Sequence, residues 1–74
     1  MTVNKKKIID IVSRYTRVPT DKINDNSSTD NIETWDSLAQ LRIILELENI
    51  TNVKVPTSSY GNYNSIEKIS KKFL

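Results

Sequence analysis

The residues best placed to do chemistry are three in a row, Asp36-Ser37-Leu38, where a polar stretch gives way to an apolar one. Aspartate is a favoured helix N-cap, because its carboxylate accepts backbone N–H bonds that the first turn cannot satisfy internally. Ser37 then stands at the first helical position, beside the positive end of the helix dipole. A hydroxyl there suits the attachment of a phosphate, since free N–H groups and dipole both favour an anion. Leu38 is expected to turn inward and anchor the helix. The rest of the chain offers Ser37 no catalytic help. It has no histidine and no cysteine, hence neither the usual general base nor a thiolate nucleophile or metal ligand. Independent catalysis is not expected; a group presented to solvent from a fixed position is.

Seventy-four residues make a single small domain, expected to span residues 1–74. A chain of this size buries only about 60% of the surface its unfolded form exposes, so its stability is modest. No apolar run approaches the roughly 20 residues of a membrane span. Met1 to Lys7 lacks a secretory pattern, so membrane insertion is not expected and the cytoplasm is the expected compartment. The net charge of +2 hides an asymmetry. Residues 21–50 carry seven acids (Asp21, Asp25, Asp30, Glu33, Asp36, Glu46, Glu48) against Lys22 and Arg42, a net of −5, and the remainder carries +7. The acidic block brackets Ser37, which predicts a partner with basic surface.

The elements that must position Ser37 are helical. Ile8, Ile11, Val12 and Tyr15 keep the spacing of one buried face, predicting a first helix from Thr2, its cap, to Thr16. Val18-Pro19 closes it. Residues 17–36 form a long polar connection with Ile23 and Ile32 as anchors, and Asp30 to Glu33 has the form of a capping box for one short helical turn. It contains no glycine, so it is not a phosphate-binding loop. The central helix is expected from Ser37 to about Asn49. Leu38, Leu41, Ile44 and Leu45 would cover its buried face, with Ile43 and Leu47 widening the stripe. Gln40, Arg42, Glu46 and Asn49 are left for an exposed strip running on from Ser37, the expected docking surface. Val53 and Val55 read as an extended link to Pro56. A short turn over Thr57 to Tyr60 would be closed by Gly61 at positive φ. A last helix would start at Asn64, boxed by Glu67, with Ile66, Ile69 and Phe73 inside. The expected fold is all-α: three main helices and a short one, with a long first loop.

The run WDSLAQLRIILELENITNVKVP, Trp35 to Pro56, resembles the helix that carries the prosthetic group in acyl carrier proteins. The order of elements on both sides matches too, over nearly the whole chain. The resemblance implies that 4′-phosphopantetheine from coenzyme A is esterified to Ser37 by a phosphopantetheinyl transferase. The thiol of that arm would hold an acyl or aminoacyl group as a thioester. An acyl- or aminoacyl-loading ligase would charge it, and a downstream acyltransferase or synthase would take the group off. It also implies that Asp36 assists the transferase around its metal ion and that Leu38 helps partners dock. Trp35 is expected to brace the helix start and, with Gln40, Arg42 and Glu46, to border the docking surface. No metal site is implied in the chain itself, and a monomer is expected. Typical fatty-acid carriers have an acidic central strip, whereas Arg42 interrupts this one. A specialised stand-alone carrier is therefore implied, and Tyr60-Gly61 is similar to D-alanine carrier proteins more than to fatty-acid ones.

Two other classes compete. An unmodified helical protein-interaction module would use the same helix surface. A small nucleic-acid-binding domain is suggested by the pI near 9 and the terminal lysines. Against the second, the candidate recognition helix is apolar and lies within the acidic block, where phosphates are repelled, so no nucleic-acid partner is expected.

Overall fold

The computed structural model describes residues 3–74. Its helices are α1 (Lys5–Thr16), α2 (Ser37–Thr51) and α3 (Ile66–Phe73), with 3-10 turns at Thr20–Lys22 and Thr57–Asn62. The all-α bundle of three main helices and a short fourth is as the sequence predicts. Among the described residues the sole extended pairing is an isolated antiparallel bridge between Ser28 and Ser65.

Helix α1 begins later than expected. Asn4 is its cap, its side-chain oxygen accepting the Lys7 N–H at 2.8 Å. Thr2, the expected cap, lies outside the described residues. The helix ends at Thr16, whose buried hydroxyl donates back to the Val12 carbonyl at 2.7 Å. Arg17 follows in the left-handed conformation (φ 65°), and its N–H reaches the Ser13 carbonyl. Ile8, Ile11 and Val12 have no exposed surface, while Tyr15 is only half-buried. α1 packs against both α2 and α3, so its apolar face is the middle of the molecule. Ile43, Ile44 and Leu47 of α2 meet it from one side, and Ile66, Ile69 and Phe73 of α3 from the other.

The long first connection is ordered by its own polar residues. Ser27 and Asn24 exchange bonds across one turn, and Asn31 accepts the Ser28 N–H while donating to the Asn26 carbonyl. Such local side-chain bonds replace a helix ladder. The helical turn expected at Asp30 to Glu33 is therefore absent; this is a bonded turn. Ile23 and Ile32 are buried anchors, as expected. The loop is pinned at its far side to the start of α3, through Thr29 N–H to Asn64 carbonyl and Ile66 N–H to Ser27 carbonyl, both 3.0 Å. Thr34 donates to the Thr16 carbonyl at 2.6 Å, tying the run into α2 to the end of α1.

Two further boundaries differ from expectation. Ser65, not Asn64, caps α3, accepting the Lys68 N–H at 3.1 Å, and Glu67 pairs forward with Lys71 instead of closing a box. Gly61 sits inside the Thr57–Asn62 turn and has no positive φ.

Candidate functional site

Asp36 caps α2 as the sequence predicts: its Oδ1 accepts the Ala39 N–H at 2.9 Å, and the helix runs from Ser37 past the expected end to Thr51. Asn52 stops it at φ 61° with its N–H on the Glu48 carbonyl. Asparagine is the non-glycine residue that tolerates this conformation best. Ser37 is exposed, and so is Asp36. Beside Ser37 opens a bay of about 350 Å³ lined by Thr29, Trp35, Asp36, Gln40, Gly61 and Asn64.

The buried face of α2 is not the one the leucines suggest. Leu38, Leu41 and Leu45 are 56%, 40% and 46% exposed, while Ala39, Gln40, Ile43, Ile44, Leu47 and Glu48 are buried. The helix is apolar over most of its circumference, so spacing alone fits two faces. The isoleucines and the two polar residues took the inside. Leu38 is thus an exposed side chain next to Ser37 and does not anchor the helix.

Gln40, expected at the surface, is 7% exposed because its amide has three partners inside. Its Oε1 accepts the Trp35 indole N–H at 2.7 Å, and its Nε2 donates to the carbonyls of Tyr60 and Tyr63, each at 2.7 Å. Trp35 is 2% exposed and braces the start of α2 rather than bordering a docking surface. A buried amide is tolerated when all its groups are bonded.

Glu46 is also withdrawn from the expected strip. Arg14 donates to its two oxygens at 3.0 and 2.8 Å, and the Tyr15 hydroxyl donates to Oε1 at 2.6 Å. The carboxylate's charge, then its hydrogen bond, raises the Arg14 pKa further above its ordinary value. The bond to Glu46, followed by burial and the Glu46 charge, raises that of Tyr15. Glu48, two residues on and buried, accepts the Val55 N–H at 2.6 Å and the Tyr60 hydroxyl at 3.3 Å. Burial first, then the charge of Glu48, pushes the Tyr60 hydroxyl up. Asp25 pairs with Lys5 at 2.6 Å. Four acids of the sequence's acidic block, Asp25, Asp36, Glu46 and Glu48, therefore make bonds within the chain. Of the residues expected at the docking surface, Trp35 and Gln40 are buried and Glu46 is paired, whereas Arg42 and Asn49 are exposed, as are Leu38, Leu41 and Leu45.

The roles of Gln40 and Glu48 escape a reading of single residues. They are visible only as two ends of an i, i+4 ladder, Gln40-Ile44-Glu48, beside Ala39-Ile43-Leu47. Polar residues in register with buried ones invite the question of what would bond them.

Ser37 thus stands exposed at a helix start fixed by Asp36, above a core that holds α2 in place. The arrangement is that of a scaffold that presents a hydroxyl, a class of protein that is acted upon. The comparisons give the class its family. Residues 6–73 match a family model described as a phosphopantetheine attachment site. The D-alanyl carrier protein of Streptococcus uberis (strain ATCC BAA-854 / 0140J) is 38% identical over 71 residues, which cover 93% of this chain and 87% of that protein. The chain belongs to the phosphopantetheine-binding carrier proteins. It is a non-catalytic carrier of groups held on a covalent 4′-phosphopantetheine, and a substrate of the transferase and loading enzymes that serve it.

The exposed start of α2 fits that group. The Ser37 and Leu38 N–H groups of the first turn have no acceptor within the helix and suit a phosphate diester, while that of Ala39 is held by Asp36. The bay beside Ser37 has room for the beginning of the arm, with Thr29 and Asn64 at its polar side. Once attached, the arm supplies the thiol that the polypeptide lacks.

Proposed function

We propose that Ser37 is the residue esterified with 4′-phosphopantetheine and that the cargo is a small aminoacyl group held as a thioester. The observation that carries the attachment is the exposed Ser37 hydroxyl at the capped start of α2, in a chain whose other features are support. Asp36 fixes the helix start, and its outer carboxylate oxygen is accessible to the transferase and its metal ion. The aminoacyl assignment rests on the D-alanyl carrier relative, named for that group.

Partner enzymes are proposed to dock on the outer face of α2. Leu38, Leu41 and Leu45 form a stripe that starts beside Ser37, with Arg42 among them. A complementary partner surface is apolar and carries a carboxylate opposite Arg42. The partners are a phosphopantetheinyl transferase, an aminoacyl-loading ligase and a downstream acyltransferase, each meeting a monomeric carrier. The cytoplasm, where coenzyme A is available, is the proposed compartment.

Incubation with coenzyme A and a broad-specificity transferase tests the attachment. Intact mass should rise by one phosphopantetheinyl group in the wild type and not in Ser37→Ala, whose fold should be unchanged. A Ser37→Ala protein that still gains the group overturns the assignment.

A further inference from the structure

Gln40 is one of the residues lining the bay beside Ser37. From α2 this side chain crosses to the Tyr60 and Tyr63 carbonyls and holds the Trp35 indole on its other edge. The opposing walls of the bay are therefore tied together by an amide whose three bonds are all short. One turn further along the same face of α2 lie Ile43 and Ile44, with no exposed surface. An aliphatic chain passing from the bay to that core beside Gln40 would part the tie. Doing so leaves the buried Trp35 indole N–H and the Gln40 amide without partners, while the carbonyls of half-buried Tyr60 and Tyr63 can turn to water. A chain that stays outside disturbs nothing. Glu48 reinforces the same wall, since its carboxylate holds the Tyr60 hydroxyl and the Val55 N–H.

We propose that Gln40 is a specificity-determining residue: its side-chain amide latches Trp35 and α2 to the Tyr60–Tyr63 segment and bars aliphatic cargo from the core. The protein thereby presents short polar aminoacyl groups in solvent and gives no shelter to long acyl chains. This rests on attachment at Ser37, and it adds the physical basis of the choice of cargo. The latch is a matter of two side chains.

The experiment uses a transferase that accepts acyl-coenzyme A, so that acetyl- and octanoyl-phosphopantetheine are placed on the same protein. Intact mass and a Ser37→Ala control read attachment separately from the fate of the chain. Methyl NMR of Ile43, Ile44, Ile66 and Ile69 and the thermal midpoint then read whether the chain enters. In the wild type the acetyl and octanoyl forms should agree in both readouts. In Gln40→Ala the octanoyl form should shift the core methyls and melt roughly 4 °C or more above the acetyl form. Gln40→Met, which keeps the volume and removes the tie, should behave like Gln40→Ala and serves where the alanine variant does not fold. Core methyl shifts on octanoylation of the wild type overturn the latch. So does a folded Gln40 variant that treats both chains alike. Absence of any mass increase overturns the attachment reading itself, and the latch as a cargo filter with it.

Discussion

Replacing Gln40 by Leu keeps a side chain of similar size and removes every hydrogen bond the amide makes. The Trp35 indole N–H then has no partner in a residue that is 2% exposed. A buried donor left unsatisfied costs about 1–3 kcal/mol. The Tyr60 and Tyr63 carbonyls belong to half-buried residues and can turn to water, so each loses only a net hydrogen bond of about 0.5–1.5 kcal/mol, toward the low end. Added apolar burial of the leucine offsets part of this. The expected loss is about 2–4 kcal/mol, large against the roughly 4–11 kcal/mol that a domain of this length holds in total. Urea unfolding followed by far-ultraviolet circular dichroism measures it, and it also serves variants that lack Trp35, the only tryptophan.

A double-mutant cycle isolates the indole bond. Trp35→Phe removes the donor and leaves the Gln40 oxygen unpaired, so each single change strands the other's partner. The double variant should be more stable than the sum of the two losses predicts, with a coupling of about 1 kcal/mol. A Gln40→Leu protein within about 0.5 kcal/mol of wild type, the range of ordinary surface changes, combined with an additive cycle, refutes the buried latch. It would mean that water already satisfies the amide.

The orientation of α2 is tested by truncating one residue on each side. Ile43→Ala should cost about 2–5 kcal/mol, as a fully buried aliphatic does, whereas Leu41→Ala should leave stability within about 1 kcal/mol and slow modification by the transferase; the reverse order in urea unfolding would put the leucines inside. The alkaline limit is set partly by tyrosine. Tyr15 and Tyr60 have folded pKa values raised above the ordinary 10.0. Their contribution to stability is therefore fully present below the unfolded value and is lost as pH rises through the folded ones. Ultraviolet difference titration should show these two hydroxyls ionising late, together with loss of helix, and Tyr15→Phe should remove one late step. Ionisation of both at the ordinary value with the fold intact would contradict the bonds to Glu46 and Glu48.

The sequence makes the start of α2 legible because capping is local. Asp36 needs only the N–H three residues on, and it finds it. The same holds for the existence of each helix and for the anchors Ile23 and Ile32, whose burial follows from being the apolar residues of a polar loop. What the sequence hides is tertiary. Which side of α2 turns inward depends on what α1 and the Thr57–Asn62 turn offer it. Glu46 looks like a surface acid until Arg14 and Tyr15 are brought opposite it from more than 30 residues away. The cap of α3 was misplaced for a smaller reason. Asn64 and Ser65 are both competent caps, and the choice between them is made by the loop that Thr29 and Ser27 bind to the start of α3.

Ser37 stands where the two sides of α2 divide. On the inner side, Gln40, Ile44 and Glu48 bond or pack to the core and to the segment around Tyr60. On the outer side, Leu38, Leu41 and Leu45 face solvent. A domain this small has little apolar surface to spare, so leaving three leucines outside while burying a glutamine and a glutamate is poor economy for folding alone. The arrangement has a consistent physical reading if the leucines are covered in turn by partners and the buried polar residues keep the cargo out. Then the inside of the helix decides what is carried, and its outside decides who collects it. A serine at the shared edge places the arm within reach of both.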